Sequence, residues 1–420
     1  MKTKAVRIYG KQDLRLEEFD LPKLKEDEIL AQVISDSICM SSHKAALQGA
    51  EHKRVPDDIH LNPTIIGHEF AGIILEVGKI WQDKFKSGQK FSIQPAMNHM
   101  GTLDAPGYSY RFIGGDATHI IIPRIVMEAD CLLPYEGEAF YPASLSEPMS
   151  CIVGAFHASY HVPPGTYNHV MGIKEGGNMA ILAGVGPMGL GAIDYALHQV
   201  RKPRLVVVTD IDDNRLARAA CLFTPEHAEK EGIKLLYINT GKISEPAMEL
   251  RNITGGKGYD DVFVFAPVKQ VVEQGDSILA FDGCLNFFAG PTNPEFRAEF
   301  NFYNVHYAFT HITGTSGGNS NDMRESLKLM EEGRINPAVM ITHIGGLDAV
   351  VDTTLNLPKI PGGKKLIYTN ISMPLISLYG LEEKGKSDPF YARLHEIVAN
   401  NDFIWNLEAE KYLLANAKPI

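Results

Sequence analysis

The chain has 420 residues, of which 45% are hydrophobic and 22% charged, and its formal net charge is −11. This length and composition are typical of a globular protein of two or three domains, and the negative charge argues against a nucleic acid or an anionic membrane as its main partner. The start of the chain has no apolar signal core, and its five cysteines lie far apart with no C-x-x-C, so we expect a cytoplasmic protein.

The predicted elements change character along the chain. Residues 1 to about 150 carry short apolar runs broken by Gly, Pro and Asp, which predicts an irregular, mostly antiparallel β unit. After about residue 176, strand-like runs alternate with helical segments, beginning with a helix over 187–200, and this predicts a parallel sheet covered on both faces. From about residue 318 the pattern is mixed, with a helix over 322–333, and the residues after 370 are predicted to be helical and peripheral.

A glycine-rich turn joins the first strand and helix of the alternating part, in the sequence LAGVGPMG. Gly184 and Gly186 permit a tight turn close to a pyrophosphate, and Gly189 permits the helix to pack on the strand. The helix begins with Pro187 and Met188, so its N-terminus faces the same anion. This pattern predicts a dinucleotide site, with an ordinary strand-to-helix turn as the alternative.

An acidic residue supports the dinucleotide interpretation. Asp210 ends the next apolar strand, LVVVTD, where a carboxylate accepts hydrogen bonds from the adenosine ribose hydroxyls. Its charge would repel a 2′-phosphate, which favours NAD over NADP. Arg215 and Arg218 follow closely and keep NADP as an alternative.

Four residues of the first part are candidate metal ligands. Cys39 ends a predicted strand, His68 and Glu69 lie in PTIIGHEFAG, and Glu147 lies in SLSEPMSC. Three protein ligands with one open position are typical of a catalytic zinc, for which Cys, His and Glu are all suitable. Spacing alone favours the other interpretation, in which Cys39 is a small core residue and His68 and Glu69 form a satisfied buried pair.

Several motifs together resemble one family. GHEFAGIILEVG, EPMS and GVGPMG followed by TD occur in the order and spacing of the zinc-dependent medium-chain dehydrogenase/reductase family, and the chain resembles its polyol dehydrogenase branch over roughly residues 1–370. The resemblance implies an α/β fold with a GroES-like, mostly-β catalytic domain over 1–155 and 319–420. It implies a Rossmann doubly wound parallel sheet, which binds the dinucleotide, over 156–318.

The resemblance also implies roles for the candidate ligands. Cys39 and His68 would bind zinc, with either Glu69 or Glu147 as the third ligand and Glu69 otherwise beside the metal. Residues 90–125 contain no cysteine, so the structural zinc lobe of relatives is absent and we expect one catalytic zinc per chain.

The residues after Cys39 both match the family and depart from it. Ser41 keeps the hydroxyl that exchanges a proton with the substrate, whereas Ser42 replaces the usual aspartate. Lys44 stands where some relatives have a proton-relay histidine, with His43 one position early. We therefore expect Lys44 to take part in the proton path or to bind a substrate phosphate.

The implied activity is hydride transfer between NAD(H), or NADP(H), and a sugar. CMSSHK, YNHVMGI and NFFAGP are similar to sugar-phosphate reductases of this family, which implies a ketose phosphate and a hexitol phosphate such as L-sorbose 1-phosphate and D-glucitol 6-phosphate. Gly290, Thr315 and Ser316, at the ends of late strands, are expected to contact the nicotinamide. The alternatives are an unphosphorylated, sorbitol-type substrate, a zinc-free reductase, or a non-catalytic dinucleotide-binding protein.

The acidic chain needs local cations to bind a phosphate. The candidates are Lys44 and Arg111, while Lys364 and Lys365 are expected to lie further from the metal, in a structural role or at the cofactor. The family resemblance also implies a homo-dimer or homo-tetramer.

Overall fold

A computed structural model describes all 420 residues of the chain. The chain forms two compact units, one of Met1–Pro148 with Asn319–Ile420 and the other of Met149–Gly318. The division falls inside the helix Tyr141–Ala158, between residues 148 and 149. None of the helices has both the length and the apolar character that are needed to cross a bilayer.

The first unit is built on a large, mostly antiparallel sheet. In spatial order its strands are Ile376–Ser377, Ile341–Gly346, Lys364–Tyr368, Ile29–Ile38, Phe70–Val77, Lys90–Ile93 and Leu132–Tyr135, with His119–Ile122 also paired to Ile29–Ile38. A second sheet consists of Asp13–Asp20, Lys2–Gly10 and Thr64–Ile65. The alternating residues Ile29, Ala31 and Val33 are fully buried, as a strand with one core-facing side requires.

Helices cover this sheet. The helices of the first unit are Met40–Gln48, Arg124–Glu128, the first part of Tyr141–Ala158, Ser320–Glu331, Val350–Asn356, Leu381–Gly385, Pro389–Ala399 and Leu407–Asn416. The last three belong to the segment that we expected to be peripheral. That expectation is wrong in part, because Trp405 and Leu413 are fully buried and Glu410 is 2% exposed.

The second unit contains a six-stranded parallel sheet. Its spatial order is Lys234–Asn239, Leu205–Asp210, Asn178–Leu182, Tyr259–Val264, Leu279–Phe287 and His311–Thr313. The order reverses beside Asn178–Leu182, which is the doubly wound arrangement. The carboxyl ends of all these strands therefore meet at one edge of the sheet. The expectation of a parallel sheet in this part of the chain is confirmed.

Short strands and six helices complete this unit. The strands Tyr160–His161 and Val170–Met171 pair with each other. The helices that begin within the unit are Pro187–His198, Asp213–Leu222, Pro225–Lys230, Pro246–Ile253, Lys269–Ser277 and Phe302–Tyr307.

Candidate active site

Three of the predicted ligands lie together in the first unit. Cys39 follows the strand Ile29–Ile38, and His68 and Glu69 directly precede the strand Phe70–Val77. These strands are antiparallel neighbours with Asp36 opposite Phe70, so the end of one meets the start of the other. As a result, the ligand atoms of Cys39, His68 and Glu69 all lie within 4.8 Å of one another. We call these three residues the metal trio.

The chemistry of the metal trio fits zinc. Burial lowers the pKa of His68 to about 4, so its imidazole is neutral and offers a lone pair. Burial and the Glu69 carboxylate raise the pKa of the Cys39 thiol to about 12, and a bound cation would reverse this by stabilising the thiolate. Cys39 is also the N-cap of the helix Met40–Gln48, and the backbone N–H of Ser41 favours its charged form. A thiolate, an imidazole and a carboxylate are all zinc ligands.

Two side chains hold the His68 ring. The Ser42 hydroxyl lies 3.2 Å from Nδ1. The Tyr108 hydroxyl lies 3.3 Å from Nε2, and the ring centroids of Tyr108 and His68 are 4.9 Å apart. No local pattern singled out Tyr108, although it lies three residues before Arg111 in a segment that the sequence associated with the substrate.

Lys364 lies at the metal trio, and the expectation that it would be further away is wrong. Its Nζ donates to both carboxylate oxygens of Glu69, at 2.5 and 2.7 Å. Strand register explains this position: Lys365 pairs with Ile38, which places Lys364 beside Cys39. Burial has the largest single effect and lowers the pKa of Lys364, but the negative charges of Glu69, Cys39 and Glu147 together outweigh it, so the pKa is raised. Lys365 instead donates to the backbone carbonyls of Pro361 and Gly363.

Glu147 faces the same region from the helix Tyr141–Ala158. Glu147 is 8% exposed. Burial is the main cause of the raised pKa values of Cys39 and Tyr108, and the negative charge of Glu147 raises both further. The carboxylate of the metal trio is that of Glu69 and not that of Glu147.

A group of cations lies near Tyr108 and His52. Burial lowers the pKa of His52 to about 4, and Arg54, Lys53 and Lys44 lower it further through their charges. The His52 ring stacks on Tyr108 at 5.6 Å, and the Arg54 guanidinium is 5.8 Å from the Tyr108 ring centroid. We call Lys44, Lys53 and Arg54 the basic group. Of these residues, the sequence pointed only to Lys44.

Two other sequence candidates have different surroundings. Arg111 is exposed, and its guanidinium lies 5.3 Å from the ring of Phe112. The Nδ1 atom of the buried His43 is 2.7 Å from the carbonyl oxygen of Thr354, which is a contact within the core.

The glycine-rich turn of the second unit joins the strand Asn178–Leu182 to the helix Pro187–His198. Gly186 is the N-cap of the helix Pro187–His198, and Pro187 is its first residue. A Cβ on Gly189 would lie 2.2 Å from the carbonyl oxygen of Gly184, so only glycine permits this close packing. Met188 follows in the first turn and is half-buried. The first helical N–H groups are therefore available to an anion at the turn.

Asp210 ends its strand at the same sheet edge. Its Oδ1 accepts hydrogen bonds from the N–H groups of Ile211 and Asp212. The Arg215 guanidinium approaches the turn, since its Nη2 lies 3.4 Å from the position of a Cβ on Gly186. Asp210 therefore lies at the carboxyl edge of the sheet, and Arg215 lies beside the glycine-rich turn.

The residues expected at the nicotinamide follow neighbouring strands. Gly290 comes after the strand Leu279–Phe287, and Thr315 and Ser316 come after His311–Thr313. These strands are parallel neighbours in the sheet, so the three residues follow its carboxyl edge.

Comparison with known proteins agrees with this geometry. Residues 187–332 match the family "Zinc-binding dehydrogenase". The chain is 53% identical to mannitol-1-phosphate 5-dehydrogenase of Aliivibrio fischeri, covering 98% of this chain and 97% of that protein. It is 51% identical to L-sorbose 1-phosphate reductase of Klebsiella pneumoniae, covering 100% and 98%.

A solved structure shows the same fold. The 2R,3R-butanediol dehydrogenase of Bacillus subtilis matches with a TM-score of 0.70 and 21% identity, covering 88% of this chain and all of that one. The fold is thus a Rossmann doubly wound parallel sheet together with a GroES-like, mostly-β domain, as expected. On the strength of the full-length relatives and the matched motifs, the chain belongs to the zinc-binding dehydrogenases of the medium-chain dehydrogenase/reductase family.

Proposed function

We propose that this enzyme transfers hydride between NAD(H) and a ketose phosphate/hexitol phosphate pair, with L-sorbose 1-phosphate and D-glucitol 6-phosphate as the first candidates. The observation that carries the proposal is the basic group beside Tyr108, whose hydroxyl contacts the metal-trio residue His68. An acidic chain has no overall attraction for a phosphate, so a local set of cations next to the candidate metal site is the feature that such a substrate requires. The two relatives with 53% and 51% identity are named for sugar phosphates, which also supports a phosphorylated substrate.

We propose one catalytic zinc per chain, held by Cys39 and His68. When bound, zinc supplies a Lewis acid that stabilises negative charge on the reacting oxygen of the substrate. Because Lys364 binds both oxygens of Glu69 in this structure, we propose that Glu147 is the third ligand whenever Lys364 holds Glu69. Ser42 keeps the imidazole of His68 in a fixed orientation.

The proton path is proposed to begin at Ser41. A bound NADH would supply the hydride for ketone reduction, and the Ser41 hydroxyl would donate the proton to the product oxygen. Lys44 lies one turn further along the helix Met40–Gln48, on the same side as Ser41, so it is placed to replace that proton.

The cofactor is proposed to be NAD(H). The turn with Gly184, Gly186 and Gly189 would hold the pyrophosphate, and Asp210 would bind the adenosine ribose. Arg215 approaches this turn and would suit either the pyrophosphate or the 2′-phosphate of NADP(H), which is therefore the second candidate.

Substitutions in the basic group test the function. Lys44→Met and Arg54→Met should each lower kcat/KM for the phosphorylated substrate roughly tenfold to a hundredfold, because a charge-assisted contact contributes about 1.5–3 kcal/mol. The Arg54 variant should leave kcat/KM for the unphosphorylated hexitol almost unchanged. Arg111→Met is the control, because the Arg111 side chain is exposed and lies against Phe112. Equal losses on both substrates for Arg54→Met would mean that the basic group does not recognise the phosphate.

We also propose a homo-dimer or homo-tetramer in the cytoplasm. His311–Thr313 is an edge strand of the parallel sheet, and the exposed aromatic residues Phe302, Tyr303 and Tyr307 precede it. A second copy pairing at this edge would cover them. The cytoplasmic location rests on the five cysteines, all of which are free thiols.

A further inference from the structure

Two histidines and a glutamate converge in the second unit, among residues to which the proposed reaction gives no role. His198 is the last residue of the helix Pro187–His198, His227 lies on the helix Pro225–Lys230, and Glu231 follows that helix. Their ligand atoms all lie within 4.8 Å of one another. The Nε2 atoms of the two histidines are 3.4 Å apart.

This separation matches a shared metal ion. Two imidazole nitrogens bound to one tetrahedral zinc, each at about 2.0–2.1 Å, lie roughly 3.3–3.4 Å apart. Without a metal, one of the two facing nitrogens must carry a proton for the contact to be favourable, and zinc would take the place of that proton.

A buried carboxylate orients one of the two rings. Asp194 lies one turn earlier in the same helix, its side chain is 4% exposed, and its Oδ1 is 2.9 Å from Nδ1 of His198. A carboxylate accepts, so Nδ1 carries the proton and the lone pair of a neutral His198 lies on Nε2, towards His227. A carboxylate that fixes the tautomer of a histidine in this way is a regular feature of zinc sites.

The third ligand is also available. The Lys202 ammonium donates a hydrogen bond to Oε2 of Glu231 at 2.5 Å, which leaves Oε1 of Glu231 for a metal ion. His198 and Glu231 are partly exposed and His227 is exposed, so the ion can enter from solvent.

We propose that His198, His227 and Glu231 form a second, solvent-accessible zinc site with an open position for water. This site would fasten the C-terminal end of the helix Pro187–His198 to the helix Pro225–Lys230. The opposite end of the first of these helices carries the glycine-rich turn. The site is independent of the metal trio and of the proposed reaction.

Zinc binding to a protein without the metal trio tests the proposal. The full-length Cys39→Ser, His68→Ala variant is titrated with zinc, and we expect it to bind zinc and to show a higher melting temperature when zinc is present. Adding His227→Ala should abolish both effects, and Glu231→Gln should weaken binding. His306→Ala, which removes an exposed histidine of the same unit, should change neither.

Asp194→Asn distinguishes a specific zinc site from nonspecific zinc binding to surface histidines. Loss of a carboxylate that supports a ligand histidine lowers metal affinity about 10–100-fold, so we expect a loss of that size. As a check that does not depend on the background, His227→Ala in the otherwise unchanged enzyme should lower its saturating zinc content by one equivalent. The proposal is overturned if the trio-deficient variant binds no zinc, if His227→Ala leaves binding unchanged, or if Asp194→Asn binds with undiminished affinity.

Discussion

The ion pair of Lys364 and Glu69 is almost fully excluded from solvent, with side chains 7% and 1% exposed. A buried pair of this kind contributes little net stability, yet removal of one partner leaves a buried charge with no compensation. In this protein the pair also governs the carboxylate nearest to Cys39 and His68. Lys364 therefore determines how much negative charge the metal trio presents to a cation.

Lys364→Met should destabilise the metal-free enzyme by about 3–5 kcal/mol, because it leaves the Glu69 carboxylate buried without a partner of opposite charge. Glu69→Gln in the same chain should recover a large part of this loss, since no buried charge then remains. Urea unfolding of chelator-treated proteins measures both effects. Lys411→Met, which breaks an exposed pair with Glu138, is the control and should cost less than about 1 kcal/mol. If the double variant lost as much free energy of unfolding as the two single variants combined, the pairing would be contradicted.

A pair of buried acidic residues, Asp36 and Asp116, lies near this ion pair. Asp36 and Asp116 are 0% and 1% exposed, and one oxygen of each, Oδ2 of Asp36 and Oδ1 of Asp116, has no hydrogen-bond donor. One shared proton would satisfy both oxygens. Burial raises the pKa of Asp116 to about 8, whereas an unfolded aspartate titrates near 3.9.

This pair should make stability fall as the pH rises. Between about pH 4 and pH 8 the folded protein keeps a proton that the unfolded chain has released, so each pH unit costs up to about 1.4 kcal/mol. Burial raises the pKa of Asp36 as well, so the double variant Asp36→Asn, Asp116→Asn, which is neutral at both positions at all pH values, should remove this dependence. The measurement is the free energy of unfolding of both proteins across this range. A difference between them that does not change with pH would show that neither carboxyl keeps a proton in the folded state.

At the scale of elements, the C-terminal segment supports the helix that carries Glu147. The Glu410 carboxylate accepts hydrogen bonds from the N–H groups of Phe140 and Tyr141, at 2.6 and 2.9 Å, where the helix Tyr141–Ala158 begins. It also accepts one from the hydroxyl of Tyr368, which in turn accepts one from the Trp405 indole. A negative charge at a helix N-terminus is stabilising, so the segment after residue 370 helps to position a candidate zinc ligand.

Glu410→Ala should lower stability by about 1.5–3 kcal/mol, the usual contribution of hydrogen bonds to a charged group. It should also weaken zinc binding, because the start of the Glu147 helix loses its anchor. Glu408→Ala, on the same helix but in an exposed ion pair with Arg393, is the matched control and should change stability by less than about 1 kcal/mol. Unfolding curves and zinc titrations of both variants give the answer. Equal behaviour of the two would rule out the anchoring role.

The sequence predicted the motifs of the parallel-sheet unit better than the contacts around the metal trio. The glycine-rich turn, Asp210 and the strand–helix alternation depend on neighbouring residues, so their geometry followed from local pattern. Lys364 reaches Glu69 across 295 residues of sequence, through a strand register that no local pattern reveals. Tyr108 and Arg54 reach the site in the same way, through loops whose course depends on tertiary packing.

At the scale of the whole molecule, net charge and local charge have opposite signs. The chain carries −11 overall, yet Lys44, Lys53 and Arg54 lie near His52, which stacks on Tyr108 beside the candidate metal site. Clustered cations in an acidic protein are typical of a specific anion site rather than of general attraction. This contrast is the main reason to expect a phosphorylated substrate instead of a free polyol.

The most direct test is a comparison of kcat/KM for D-glucitol 6-phosphate and for D-glucitol, with NAD and the zinc-loaded enzyme. We predict that the phosphorylated hexitol is preferred by at least about tenfold, the effect of one charge-assisted contact to phosphate. Mannitol 1-phosphate, assayed in parallel, would show which hexitol phosphate fits better. Equal or greater efficiency with D-glucitol would contradict the account and identify the enzyme as a dehydrogenase of unphosphorylated polyols.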